Sequence, residues 1–192
     1  KIQDITVSIC GVVKLLEGLD VNKSLGPDDI SPRVLKESAS QLGPVLCSLF
    51  NQSLLSSTVP QDWRDANIFA LHKKGPKSCP SNYRPISLTC IICKLLEHII
   101  YSNISSFLES QNILTARQHG FRKNHSCETQ LLLAHNDWAS ALDNGISTDV
   151  AIFDFSKAFD VVPHQRLLSK LNSCGINRQT ISWINSFLQH RR

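Results

Sequence analysis

The chain has 192 residues, with 20 Lys and Arg against 16 Asp and Glu, seven Cys and no Met. With 42% apolar and 19% charged residues it is composed like a globular domain, which excludes a disordered or collagen-like chain. No apolar run reaches the roughly 20 residues that span a bilayer, no signal sequence opens the chain, and a start at Lys1 without any Met marks it as a piece of a longer or processed protein.

The first apolar period, Ile5, Ile9, Val12, Val13, Leu16 and Leu19, predicts a helix over residues 5–19. The turn-rich stretch Asn22–Ser31 follows as a loop, and Ser31-Pro32 reads as an N-cap with proline at the first helical position. A helix is expected from Pro32 to about Gln41, broken by Gly43-Pro44, with a second helix continuing to Ser56. Val59–Trp63 is a turn with a short helix. Ala66–His72 reads as a strand running into Lys73-Lys74-Gly75, and residues 77–82 as a loop. Tyr83–Thr89 is a second extended segment, whose Pro85 belongs at a sheet edge or strand start. Ile91–Leu108 predicts a long helix. After the polar loop Gln118–His125, Ser126 caps a helix with Leu131, Ala134, Trp138 and Leu142 on its core face, closed by Asn144-Gly145. Asp149–Phe153 is expected to form a short buried strand. Pro163 opens a helix that Cys174-Gly175 ends, and Gln179–Gln189 forms the last one. The expected class is mixed α/β (α+β), with helices in excess.

The net charge of +4 says little by itself, but its distribution says more. Between Gln61 and Ile100 stand six basic residues (Arg64, Lys73, Lys74, Lys77, Arg84, Lys94) and three acids (Asp62, Asp65, Glu97). Arg117, Arg122 and Lys123 cluster near His119 and His125. Both clusters fit either a footprint for phosphates or solvated surface. The seven cysteines are scattered and odd in number, so a reducing, intracellular setting without disulfide-linked partners is expected. Cys90-x-x-Cys93 has no second pair to complete a zinc site and lies in an apolar helical stretch, so buried core thiols are the expectation.

Two constellations carry chemistry. The first is the apolar run that delivers Asp154 at its end, where a buried strand could present a carboxylate to a metal; the alternative is that Asp154 caps a following helix while Phe155 and Phe159 fill the core. The second is Lys73-Lys74 ending one strand and Arg84 beginning the next. On a hairpin these would face one another and grip a polyphosphate, Arg as a fork and Lys as a point charge; the alternative is a tip kept soluble by charge.

Together these residues make the chain recognisable. It resembles the reverse transcriptase domain of non-LTR (LINE-type) retrotransposons over nearly its whole length. Asn22-Lys-Ser-Leu-Gly-Pro-Asp-Asp-Ile-Ser-Pro is similar to the family's K-S-x-G-P-D-x-I block, and Val59-Pro-Gln-Asp-Trp-Arg with Ala66–Lys74 to its P-x-x-W-K…K-K-G block. Ser81-Asn-Tyr-Arg-Pro-Ile-Ser-Leu resembles N-Y-R-P-I-S-L, Gln118-His-Gly-Phe-Arg resembles Q-x-G-F-R, and Ile152–Asp160 resembles the metal-binding D-F-x-K-A-F-D block. Five blocks in the right order make chance similarity very small, although each alone is weak.

The resemblance implies the fingers and partial palm of a right-hand polymerase. It divides the chain into a helical extension with the K-S-x-G-P-D loop (1–58), a fingers-like region with the basic hairpin (59–148) and the first part of the palm (149–192). It implies an RNA-directed DNA polymerase that extends a primer 3′-hydroxyl with two Mg²⁺ ions. Asp154 would be a catalytic metal ligand with the Phe155 carbonyl nearby, and Lys73, Lys74 and Arg84 would bind the nucleotide triphosphate. Phe159 would lie under the sugar and exclude a 2′-hydroxyl, and Gly120, Phe121, Arg122 and Lys123 would lie near the template. The implied partners are RNA template, DNA primer or target and deoxynucleoside triphosphates, in the cytoplasm and nucleus and not in a membrane. The family's Y-x-D-D pair does not occur in these residues, so the resemblance implies a segment cut ahead of a complete catalytic site and inactive alone. The alternative from another class is a decayed or domesticated copy that only binds RNA or another protein.

Overall fold

The computed structural model describes residues 1–191. The elements run α1 (Ile9–Glu17), α2 (Pro32–Glu37), α3 (Ala39–Ser56), a 3₁₀ turn (Gln61–Trp63), β1 (Ala66–His72), a 3₁₀ turn (Pro80–Asn82), β2 (Tyr83–Thr89), α4 (Ile91–Ser110), α5 (Cys127–Asp143), α6 (His164–Ser173) and α7 (Arg178–Leu188). The protein is helix-rich, with a single two-stranded antiparallel sheet among the described residues. None of its described helices is long and apolar enough to cross a membrane. The chain divides into two compact units, one of residues 1–107 with 163–192 and one of residues 108–162.

The first unit owns the core. Phe50 of α3 is fully buried and meets the Trp63 ring edge-on at 5.9 Å. Val12 and Leu16 of α1, Leu35 of α2, Leu46 and Leu54 of α3 and Leu95, Leu96 and Ile100 of α4 complete the cluster. The C-terminal pair α6–α7 joins it through Trp183, which is 2% exposed and stacks on Phe187 at 5.3 Å. The indole N–H of Trp183 donates to Ser53 Oγ at 2.9 Å, and that hydroxyl donates to the Thr58 carbonyl at 2.7 Å, so both buried polar groups are satisfied. Asn51 performs a similar service at the entry to α1. Its Oδ1 accepts from Val7 N–H, and its Nδ2 donates to the carbonyls of Val7 and Cys47, each at 2.9 Å.

Helix boundaries follow the caps. Ser8 starts α1 by accepting from Gly11 N–H at 3.2 Å, so the helix begins at Ile9, four residues later than the apolar period that starts at Ile5. Gly43-Pro44 does not break the second helical stretch. The interruption falls at Ser38, and α3 runs through Pro44. The proline lies in the second turn of α3, where its ring forfeits one backbone hydrogen bond of a helix that tertiary packing holds in place. The glycine has a packing reason: a Cβ at Gly43 would stand 2.5 Å from Val13 Cγ2, so its absence lets α3 lie close against α1.

Two expectations fail in the second unit. Asp149–Phe153 is not a buried strand. It has no regular structure, and Ile152 and Phe153 are 91% and 87% exposed. A strand needs a neighbour to satisfy its backbone, and among the described residues none pairs with this segment. Likewise α5 forms as predicted behind a Ser126–Thr129 capping box, but Leu131, Trp138 and Leu142 are exposed and none of its residues is buried.

Candidate functional site

In the first unit, the site rests on the β1–β2 hairpin. Ile68 and Phe69 in β1 and Tyr83, Ile86 and Thr89 in β2 are residues that favour strands, and the register pairs Ala66 with Thr89 through His72 with Tyr83. Residues directly opposite share a face, so Leu71 and Arg84 point the same way, together with Phe69 and Ile86. Lys73 continues the ladder by donating its N–H to the Asn82 carbonyl at 2.8 Å. Standing two residues beyond Leu71, it falls on the face of Arg84, whereas Lys74 belongs to the turn. The sequence left Lys73 and Lys74 equal; the register separates them.

The turn is braced. Gly75 has φ +82°, in the region that favours glycine, and its carbonyl lies 2.9 Å from His72 Nε2. Asn82 Nδ2 donates to the Pro76 carbonyl and Tyr83 Oη to the Lys77 carbonyl, both at 2.9 Å. The basic tip is therefore carried on a bonded loop. Proline fits in β2 because a two-stranded sheet consists of edges.

Sequence reasoning missed how the K-S-x-G-P-D loop holds this hairpin. A Cβ on Gly26 would lie 2.6 Å from Cys90 Cα and 2.8 Å from the Thr89 carbonyl oxygen, both backbone atoms. Only glycine lets the loop press against the β2–α4 junction. Glycine inside a charged turn was the signal for it. Cys90 and Cys93 lie at that junction as buried, free thiols. Burial pushes the Cys90 thiol up to about 11 and raises Cys93 as well, where the Glu97 carboxylate adds to the effect. They are core groups, as expected, with Cys93 Sγ donating to Glu97 Oε1 at 3.1 Å.

In the second unit, the loop 111–125 is clasped by Arg122. Its guanidinium donates to both oxygens of Glu109 at 2.8 and 2.6 Å, and to the carbonyls of Thr115 at 2.6 Å and Gln118 at 3.4 Å. The hydrogen bond from Arg122 holds the Glu109 carboxyl below its ordinary range. Arg122, expected near the template, thus has most of its donors engaged within the loop. His119 is buried, with Nδ1 at 2.7 Å from Thr129 Oγ1 and its ring 4.9 Å from that of His125. Gly120 has open space around it, and Lys123 is exposed.

Phe121, at φ +60°, is 80% exposed and meets Phe159 edge-on at 5.5 Å; Phe159 is itself 78% exposed. The structure therefore joins two residues that the sequence placed in separate roles. It also removes the core-filling reading of Phe155 and Phe159, both of which are exposed. The helix-cap reading of Asp154 falls too. Residues 156–161 form a turn in which Asp160 N–H donates to the Lys157 carbonyl at 2.9 Å, and the next helix begins only at His164. Asp154 stands exposed on that irregular segment. Among the described residues no three His, Cys, Asp or Glu side chains come together, so these residues by themselves do not fit a two-ion centre.

Residues 71–192 match the sequence profile of the family described as reverse transcriptase (RNA-dependent DNA polymerase). Over 182 residues the chain is 30% identical to a Drosophila melanogaster protein named "Probable RNA-directed DNA polymerase from transposon BS", covering 94% of this chain and 20% of that protein. It is 30% identical over 184 residues to the corresponding protein of the X-element of the same fly, covering 95% of this chain and 20% of the relative. It is 28% identical over 186 residues to the RNA-directed DNA polymerase from mobile element jockey, also from that fly, again covering 96% and 20%. The chain spans about one fifth of the length of these relatives.

Proposed function

The chain belongs to the reverse transcriptase (RNA-dependent DNA polymerase) family and is related to polymerases of non-LTR retrotransposons, and on that premise we propose that it supplies the nucleotide-gripping part of an RNA-directed DNA polymerase. The reading places residues 59–148 in the fingers and residues 149–192 at the start of the palm, behind a helical extension of residues 1–58. Its partners are an RNA template, a DNA primer and deoxynucleoside triphosphates.

One observation carries it: the hairpin register sets Arg84 and Lys73 on one face at a braced tip, beside the apolar pair Phe69–Ile86. A planar fork and a point charge on one face suit a triphosphate, and the apolar pair offers a surface for the base or sugar. Gly120, Phe121 and Lys123 are proposed to run along the template, with the Phe121–Phe159 pair presenting exposed aromatic edges to a nucleotide. Phe159 is proposed to select against a 2′-hydroxyl. Asp154, beside the Phe155 carbonyl, is proposed to provide one carboxylate of the family's divalent-ion chemistry. These residues alone do not fit the ion pair.

Titrating the purified chain with a deoxynucleoside triphosphate tests the hairpin. Lys73→Glu with Arg84→Glu should abolish binding, while Lys77→Glu, which lies in the same loop, should retain most of it. Equal losses from all three charges would reduce the hairpin to a generic basic tip. RNA binding should weaken by orders of magnitude between ~50 and ~200 mM salt, as counterion release requires.

A further inference from the structure

A cavity of about 320 Å³ opens in the first unit where the segment after α1, the K-S-x-G-P-D loop, the start of α2, β2 and α4 converge. Its Leu88 lies on the hairpin face of Arg84, four residues along β2 toward the end opposite the tip. Its walls are aliphatic, with Leu19, Pro32, Leu88, Ile91 and Leu95. Its rim carries Lys23, Lys94, Ser24 and Asp20. Both lysines are exposed, and among the described residues neither is in an ion pair. The one rim acid, Asp20, accepts from Asn22 N–H at 3.0 Å through Oδ1 and shapes the loop, and the two lysines leave the rim net positive. The volume lies at the lower end of the range for ligand pockets and is large enough to take one or two apolar side chains.

We propose that this cavity is a docking site for a short acidic peptide segment that inserts a large apolar side chain between Lys23 and Lys94. The floor supplies hydrophobic burial for the anchor, and the two ammonium groups meet carboxylates on either side of it. The same lysines could attract nucleic acid, but the walls argue against a nucleotide as the occupant. A base is held by stacking on aromatic rings or guanidinium planes and by edge hydrogen bonds, and this cavity offers aliphatic walls without a ring or an arginine. An aliphatic cup with a basic rim matches an apolar side chain flanked by acids. The loop that Gly26 holds against the β2–α4 junction contributes Lys23 and Ser24 to the rim, which gives that loop a recognition role besides bracing the hairpin.

The test is fluorescence anisotropy with the whole 192-residue chain and a labelled peptide carrying one Trp between pairs of Asp. Three controls accompany it: the same peptide with Ala for Trp, the same peptide with Lys for Asp, and a single-stranded RNA competitor. Binding should be lost, by at least tenfold in affinity, with the Ala peptide and with the Lys peptide. Leu88→Trp should plug the cavity, and Lys23→Glu with Lys94→Glu should reverse the rim; each should cost at least tenfold. Thermal melts check that these variants remain folded, and the lysine pair, being exposed, provides the arm least exposed to misfolding. Equal binding of the Trp and Ala peptides would mean that charge alone is responsible and would overturn the proposal. So would RNA that displaces the peptide from wild-type chain but loses affinity for the Leu88→Trp variant, which would assign the cavity to nucleic acid. Binding of triphosphate to the hairpin is read separately, so failure here leaves that reading standing.

Discussion

The two units use apolar residues in opposite ways. In the first, Phe50, Leu96 and Trp183 disappear into a core that five helices share. In the second, α5 carries Leu131, Leu132 and Leu133 in succession, all exposed. Three consecutive leucines spread over about 200° of a helix, at roughly 100° per residue, so no single face can bury them. The first unit has a packing solution of its own; the second takes its order from local bonds, the capping box of α5 and the clasp of Arg122. Apolar content therefore does not measure stability, and truncating a buried side chain of the first unit should cost far more than truncating an exposed leucine of the second.

The largest effect should come from the core. Phe50→Ala should cost ~3–5 kcal/mol, because the cavity it leaves lies between helices that cannot collapse onto it. Leu142→Ala, an exposed leucine of α5, should stay within about 0.5 kcal/mol. Urea unfolding followed by tryptophan fluorescence distinguishes them, since Trp63 and Trp183 are buried in the first unit and Trp138 is exposed in the second. Similar losses from both substitutions would erase the contrast.

Glycines should sharpen it. Gly26→Ala forces a Cβ against the backbone of Cys90 and should destabilise the first unit by about 1–3 kcal/mol, the usual cost of overpacking. Gly120→Ala meets open space and should be nearly neutral, although both glycines sit in motif blocks of similar appearance. A neutral Gly26→Ala would show that the loop can retreat.

These contrasts also explain what was legible in the sequence. Elements defined by local chemistry were readable: β1 and β2 fall on the predicted residues, and Ser31 and Ser126 cap the helices they were expected to cap. That Lys73-Lys74 and Arg84 come to one end of a hairpin was readable as well, because a hairpin ties those strand ends together, but which lysine shares the face of Arg84 took the register to decide. What depended on a distant partner was not. The apolar run 149–153 has a strand's composition, but composition cannot state what it pairs with. Gly43-Pro44 has a breaker's composition, but close packing on Val13 overrules it. The Phe121–Phe159 contact links positions 38 residues apart in sequence through two irregular segments, and no periodicity connects them.

Alkaline pH should act on the first unit. Cys90 is raised from an ordinary 9.0 to about 11 by burial, and Cys93 is shifted the same way. A raised folded-state value means that the folded form holds its proton more tightly. The stabilisation is complete below pH 9 and is lost as pH rises toward 11. The urea midpoint should fall over that window, and Cys90→Ala with Cys93→Ala should flatten the fall. A thiol reagent should label exposed Cys127 and Cys79 at once and reach Cys90 and Cys93 only on unfolding.

The smallest effect concerns the clasp of the second unit. Glu109 and Arg122 form an ion pair of 2.6 Å at the surface, where solvent screening limits its contribution. Glu109→Gln should leave global stability unchanged and speed exchange of the Gln118 and His125 amides, which are bonded inside the loop. The hydrogen bond from Arg122 depresses the Glu109 carboxyl, so its contribution is present at neutral pH and is lost as pH falls through that lowered value. Acid below the ordinary carboxylate range should therefore reproduce the Glu109→Gln behaviour in wild-type chain, and high salt should lessen the difference. The same variant decides the role of Arg122. Releasing its guanidinium from the carboxylate makes it available to a phosphate, so RNA affinity should rise if Arg122 faces the template. With affinity unchanged while the loop loosens, Arg122 serves as a clasp, and the contact with nucleic acid rests on Phe121 and Lys123.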